Sequence, residues 1–227
     1  MSRPFNLHAT LQNFAGAALR AIYRPIVESP SKVPTGAIFA ANHTAVMDGP
    51  LLLAAIDQPI HVITKFEVFT GIAGAILRAG GAVPIYWHGA DRRALDHAVE
   101  KLRRGESVAL FPEGSRCTGQ YEWIRSGIGY LVAKTGAPVV PVAVLGTRHT
   151  GQSKVYITRP YQQTAIVVGE PLTAEGFVDG VSNPPTRQDL TTISERIRLR
   201  LLEFTLQAEQ RVGIQLPTDD VSQTSEE

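Results

Sequence analysis

Five short apolar runs separated by helical stretches govern what this chain can become. Ala37–Ala41, His61–Thr64, Ala82–Ile85, Val108–Phe111 and Val139–Val144 are short, apolar and bounded by turn residues, as buried strands are. Between them stand Leu51–Ile56, Ile72–Arg78, Arg92–Arg104 and Ile128–Lys134, which read as helices. Strands joined by crossover helices are covered on both faces, so they are apolar throughout rather than alternating. The pattern predicts an α/β fold with a mainly parallel central sheet flanked by helices.

The ends carry further helices. Leu7, Leu11, Phe14, Ala18, Leu19 and Ile22 recur with helical spacing up to Arg24, and Pro25 ends the segment. This short amphipathic N-terminal helix fits packing on the core, and equally fits lying in the headgroup layer of a bilayer. Lys154–Thr158 and Ala165–Val168 read as edge strands before a Gly/Pro/Asn-rich loop from Gly169 to Pro185. A C-terminal helix over Gln188–Gln210 presents Leu190, Ile193, Ile197, Leu201 and Phe204 on one side. The expected organisation is an N-terminal helix in 1–28 with possible membrane-surface contact, one catalytic domain in 29–212, and a disordered acidic tail in 213–227.

The net charge of +1 argues against a nucleic-acid binder that relies on overall basicity. Its distribution is uneven, +6 over residues 1–202 and −5 over 203–227, so the body can sit against anionic headgroups. The single cysteine, Cys117, cannot form an internal disulfide, which suits a reducing compartment. No secretory signal and no run of about 18 apolar residues is seen, so the expected location is cytoplasmic and peripheral, on the inner face of a membrane. His61, His88, His97 and His149 have no metal-ligand spacing, and no metal is expected.

The loop after the first strand reads Asn42-His43-Thr44-Ala45-Val46-Met47-Asp48. Ligands of open α/β sheets bind beyond the carboxyl ends of strands. A histidine there can act as a general base near neutral pH, with a carboxylate on its second ring nitrogen fixing the tautomer. Positions five apart are roughly 140° out of phase on a regular helix. The two side chains therefore meet only in a turn entering a helix, which Gly49-Pro50 allows. A capping aspartate beside a loop histidine fits the same spacing. Phe111-Pro112-Glu113-Gly114-Ser115-Arg116 follows another strand and offers carboxylate, hydroxyl and guanidinium, a set able to hold a polyol phosphate. A tight polar turn with a surface ion pair fits it too.

Together these segments resemble the glycerolipid acyltransferase family, which includes the 1-acylglycerol-3-phosphate acyltransferases. Asn42, His43 and Asp48 match its Asn-His-x4-Asp motif, and Phe111 to Arg116 its Phe-Pro-Glu-Gly-Thr/Ser-Arg motif. Val140-Pro141-Val142 looks like its late hydrophobic motif and Lys65-Phe66-Glu67 like its lysine-containing segment. The resemblance covers roughly Gly36 to Gly146. One motif departs: Gly81-Ala82-Val83-Pro84-Ile85-Tyr86-Trp87 ends in tryptophan where the family has arginine, with Arg92 and Arg93 a few residues on. Arg125 stands where a lysine is expected.

The resemblance implies an O-acyltransferase in phospholipid synthesis. A fatty acyl group would pass from the thioester of acyl-CoA or acyl carrier protein to the free hydroxyl of lysophosphatidate, giving phosphatidate at a membrane surface. His43 would be the base and Asp48 its holder, with Lys65, Glu113, Gly114, Ser115 and Arg116 at the acceptor. No covalent acyl-enzyme and no cofactor beyond the thioester co-substrate is implied. The Trp87 departure leaves the acceptor open to glycerol 3-phosphate or another lyso-lipid. Water as acceptor would make a thioesterase, although no Gly-x-Ser-x-Gly elbow is present. A pocket without turnover would make a lipid-binding module. Cys117 adjoins Arg116 and resembles an activated thiol, while an incidental free thiol fits as well.

Overall fold

The computed structural model describes residues 7–71, 74, 77–78, 81–85 and 92–219. The helix expected over Ile72–Arg78 lies partly outside these, and Trp87 wholly so. Strands β1 (Ile26–Glu28), β2 (Ile38–Ala41), β3 (Ile60–Lys65), β4 (Val83–Ile85), β5 (Ser107–Leu110), β6 (Val139–Leu145) and β7 (Ala165–Val168) form one sheet. Their order is β1-β7-β6-β2-β5-β3-β4. All neighbours pair in parallel except β6 and β7. This is the expected α/β sheet.

Successive residues of a strand face opposite sides, and the core divides accordingly. Ile38 and Ala40 join a layer containing Ala98, Leu131, Ile193, Ile197 and Leu201. Phe39 and Ala41 join Leu51, Leu52, Ile60, Val140 and Val142 on the other face. The helices supplying these layers are α1 (Leu7–Tyr23), α2 (Asp48–Ala55), α3 (Arg92–Arg103), α4 (Gly127–Thr135), α5 (Glu175–Val178) and α6 (Arg187–Val212). Thr186 and Asp189 form a reciprocal capping box at the start of α6, and left-handed Gly213 ends it. Gly129 lets α4 approach α6 so closely that a Cβ there would collide with the carbonyl of Leu190.

Three expectations are corrected. Lys154–Thr158 is irregular, not an edge strand, and has no ladder partner among the described residues. The edge beside β7 is already occupied by β1, a three-residue strand too short and too exposed to announce itself by pattern. The acidic tail does not begin at Gly213: Ile214 and Leu216 are buried, and Asp219 is bonded to the body. Residues 220–227 lie outside the described residues.

α1 is turned opposite to the simple packing expectation. Its contact face is largely polar and small, with Tyr23 at its end packing on the core: the Gln12 amide donates to the Ile60 carbonyl at 2.5 Å and accepts the Ile60 N–H at 3.1 Å. Gly16 lies against Ala54, and Arg20 donates to the Ala54 carbonyl. The apolar stripe points away from the body, leaving Leu11, Phe14 and Ile22 exposed.

Candidate functional site

The carboxyl ends of β2, β5 and β6 converge on one loop cluster. Asn42, just past β2, bonds both backbone groups of Val144: its amide donates to the carbonyl at 2.9 Å and its oxygen accepts the N–H at 2.7 Å. The residue therefore prolongs the β2–β6 pairing by a side chain and directs the chain out of the sheet at His43. Residues 43–47 form the non-helical turn required for His43 and Asp48 to meet, and Asp48 is the first residue of α2.

Asp48 is fully buried and its carboxylate is saturated. Oδ2 accepts the N–H of Thr44 at 2.6 Å and of Ala45 at 2.8 Å, and lies 2.8 Å from Nδ1 of His43. Oδ1 accepts the Thr147 hydroxyl at 2.5 Å. A buried carboxylate is costly unless its lone pairs are used, and here four donors and the start of α2 share that charge. With Nδ1–H directed at Asp48, the Nε2 lone pair of His43 is left to accept a proton. The ring stacks on Phe111 with centroids 4.1 Å apart and an interplanar angle of 21°, and its side chain remains 20% exposed. The arrangement can accept a proton at Nε2 of this partly exposed ring and stabilise the resulting imidazolium.

Glu113 is 2% exposed, and its Oε1 accepts the backbone N–H of His43 at 2.9 Å. This differs from the expected substrate contact: the carboxyl props the loop that carries the imidazole. Burial pushes it from its ordinary 4.5 up to about 8, with the His43 N–H pulling down and the nearby Asp48 charge pushing up. The folded protein thus retains a proton that the unfolded chain releases, so stability falls as pH rises from about 4.5 to about 8. Glu113→Gln keeps the acceptor and cannot ionise. Thermal melts at about pH 5 and about pH 9 should show the unmodified protein losing roughly 3–10 °C relative to the variant. Parallel curves would count against the assignment.

The other expected site residues lie on the same edge of the sheet without converging as closely. Gly114 adopts φ 73° in the turn, Ser115 Oγ lies 3.4 Å from Cys117 Sγ, and Arg116 donates to the Lys154 carbonyl at 2.9 Å. Lys65 ends β3 and is exposed. Its strand is two removed from β2, a lateral step of about 10 Å at ordinary strand spacing, within the span of a long side chain and a substrate. Cys117 acts through its backbone, its N–H donating to the His43 carbonyl at 2.8 Å. Arg125 is exposed, with its guanidinium over the Trp123 ring.

Two participants carry no motif signal. Thr147 follows β6 and reaches Asp48 across 99 residues of chain. Arg148 is fully buried and donates to the carbonyls of Cys117 (3.3 Å), Gln152 (2.9 Å) and Asp219 (2.9 Å), pairing also with the Asp219 carboxylate at 3.3 Å. It ties the segment after α6 to the loop beneath His43. Only their place at a strand's carboxyl end marked them. Among the described residues, no group of three or more His, Cys, Asp or Glu side chains is placed to hold a metal, and no helix is long and apolar enough to cross a membrane.

Comparison with known proteins bears on this site. A family model described as Acyltransferase matches residues 24–145, which include both loops. The chain is 30% identical over 149 residues to the chloroplastic 1-acyl-sn-glycerol-3-phosphate acyltransferase of Arabidopsis thaliana, covering 62% of this chain and 41% of that protein. It is 33% identical over 112 residues to the lyso-ornithine lipid O-acyltransferase of Pseudomonas aeruginosa, covering 47% and 42%. The chain thus spans about two fifths of the length of these relatives. Its fold is similar to the crystal structure of the 1-acyl-sn-glycerophosphate acyltransferase of Thermotoga maritima, with a TM-score of 0.67 over 96% of this chain and 81% of that one, at 23% identity.

Proposed function

The chain belongs to the acyltransferase family, and from that membership we propose that it transfers a fatty acyl group from a thioester, acyl-CoA or acyl carrier protein, to the free hydroxyl of lysophosphatidate. The observation that carries this reading is the His43–Asp48 contact at 2.8 Å, with Asp48 buried and saturated by donors. Nε2 of His43 takes the hydroxyl proton as the oxygen attacks the thioester carbonyl. Collapse of the tetrahedral intermediate expels the thiolate, which is protonated to the free thiol, and the ester product is phosphatidate. No acyl-enzyme intermediate is needed.

Arg116 and Lys65 hold the acceptor phosphate in this proposal, with Ser115 and Gly114 shaping the glycerol site and Glu113 positioning His43. The exposed Val46, Phe66 and Val68 provide apolar surface for the acyl chains. Thioester and lyso-lipid meet at a membrane surface, which the outward stripe of α1 (Leu11, Phe14, Ile22) suits, with the enzyme peripheral on the cytoplasmic face. A second acceptor reading, another lyso-lipid, is favoured by the Pseudomonas relative, whose name specifies lyso-ornithine lipid.

Thiol release from acyl-CoA, followed with lysophosphatidate and with lyso-ornithine lipid as acceptors, tests the proposal. Phosphatidate formed in step with thiol supports it, turnover only with the ornithine lipid moves the acceptor, and thiol release without an acylated product makes the chain a thioesterase.

A further inference from the structure

The segment from His149 to Gln163 has no place in the proposed chemistry, yet it is built in an unusual way. It runs irregularly from the end of β6 to β7, and it holds Val155, Ile157 and Tyr161 at 64%, 65% and 68% exposure. Three large apolar side chains held out to water within seven residues are an expense to a soluble surface, and they call for a covering partner.

The loop is anchored at both sides of this apolar tip. The Arg116 guanidinium donates to the Lys154 carbonyl at 2.9 Å, and the Thr158 hydroxyl donates to the Thr147 carbonyl at 2.9 Å. Its position is therefore set by the site itself. At its far end Tyr161 receives Arg24, whose guanidinium carbon lies 5.1 Å from the ring centroid. Both residues adopt left-handed backbone, at φ 62° and φ 48°. Each such non-glycine residue costs roughly 1–2 kcal/mol, and strain of this sort marks a surface held in shape for a purpose. Arg24 follows α1, and Ile26 and Val27 of β1 are also exposed, so the loop tip meets the chain just past the C-terminal end of α1.

Charge indicates which partner. The loop carries His149, Lys154 and Arg159, and the segment from Met1 to Val27 carries Arg3, Arg20 and Arg24. Neither stretch contains an aspartate or glutamate, although the whole chain has 21. Asp57 lies 3.7 Å from Arg20 and Asp219 accepts the Gly151 N–H at 2.7 Å, but neither acid interrupts the two stretches themselves. Apolar side chains interleaved with cations along both stretches suit an anionic lipid bilayer.

We propose that the 149–163 loop is a second membrane-contacting element, which inserts Val155, Ile157 and Tyr161 between anionic lipids and, with α1, sets the Arg116 side of the site against the headgroups. This rests on the reading that the acceptor is drawn from a membrane, and it adds a contact the α1 stripe does not supply.

The test is co-sedimentation with vesicles of phosphatidylcholine containing phosphatidylglycerol, using the full chain, Val155→Ser/Ile157→Ser and Phe14→Ser/Ile22→Ser. The loop variant should bind at least about tenfold less tightly, while its turnover of a short-chain, water-soluble acceptor stays within about twofold, which also certifies its fold. A single Ile157→Trp variant should gain fluorescence quenching from brominated lipid over the unmodified protein. Undiminished vesicle binding by the loop variant, with binding lost in the α1 variant and no added quenching, overturns the loop proposal and leaves membrane recruitment standing. No vesicle binding by the unmodified chain overturns both. Normal vesicle binding combined with impaired use of a protein-borne thioester overturns it in favour of an acidic protein partner.

Discussion

Replacing His43 with alanine is expected to lower thiol release and phosphatidate formation together by about 10²–10⁴, the usual worth of a positioned general base. The fold should survive. The imidazole projects from a loop whose backbone is held independently, the His43 N–H by Glu113 and its carbonyl by the Cys117 N–H. The Phe111 ring loses one stacked face, a modest packing loss at a partly exposed position. Because the imidazole acts on the proton and not on the phosphate, kcat should fall far more than KM changes. A folded His43→Ala protein retaining activity within about twofold would falsify the mechanism.

Asp48→Asn should damage both activity and stability. The carboxylate accepts from Thr44 N–H, Ala45 N–H and Thr147, and pairs with His43. An asparagine offers one oxygen and points an NH2 group at donors on the other side. In either orientation a buried donor is left facing a donor, at a cost of about 1–3 kcal/mol. If the amide nitrogen faces His43, Nδ1 becomes the acceptor and Nε2 carries the hydrogen, the wrong tautomer for a base. Turnover should then fall by about 10³ or more, with a melting point lower by roughly 2–10 °C. Thr147→Val removes one of the four donors and keeps the volume. It should lower kcat by about tenfold, and Thr147→Ser should restore it, because only the hydroxyl matters. Equal activity in Thr147→Val and the parent would show that the Asp48 carboxylate needs no support from β6.

Most of the sheet was legible because its strands are local statements. Ala37–Ala41 and Val139–Val144 are apolar throughout, and burial on both faces leaves such runs few other places to go. β1 escaped because three residues, two of them exposed, carry no pattern. Lys154–Thr158 misled because Val155-Tyr156-Ile157 reads as a strand by composition; no free edge remains for it beside β7. In α1 the apolar spacing was real, but spacing alone does not say which way a stripe faces. Gln12, Gly16 and Arg20 decided that by bonding and packing against Ile60 and Ala54.

By itself, then, the sequence determined the α/β class and the family signature, and it allowed the turn in which His43 and Asp48 meet without choosing it over a simple helix cap. All of these depend on residues within one strand–loop–helix unit or on motifs short enough to read directly. Tertiary structure alone decided that Thr147 completes Asp48, that Glu113 turns inward to the His43 backbone, and that Arg148 ties the Asp219 segment beneath the site. Those contacts bridge 70 to 99 residues. They exist because parallel strands bring their carboxyl ends to one edge, where side chains remote in sequence must satisfy each other's buried polar groups.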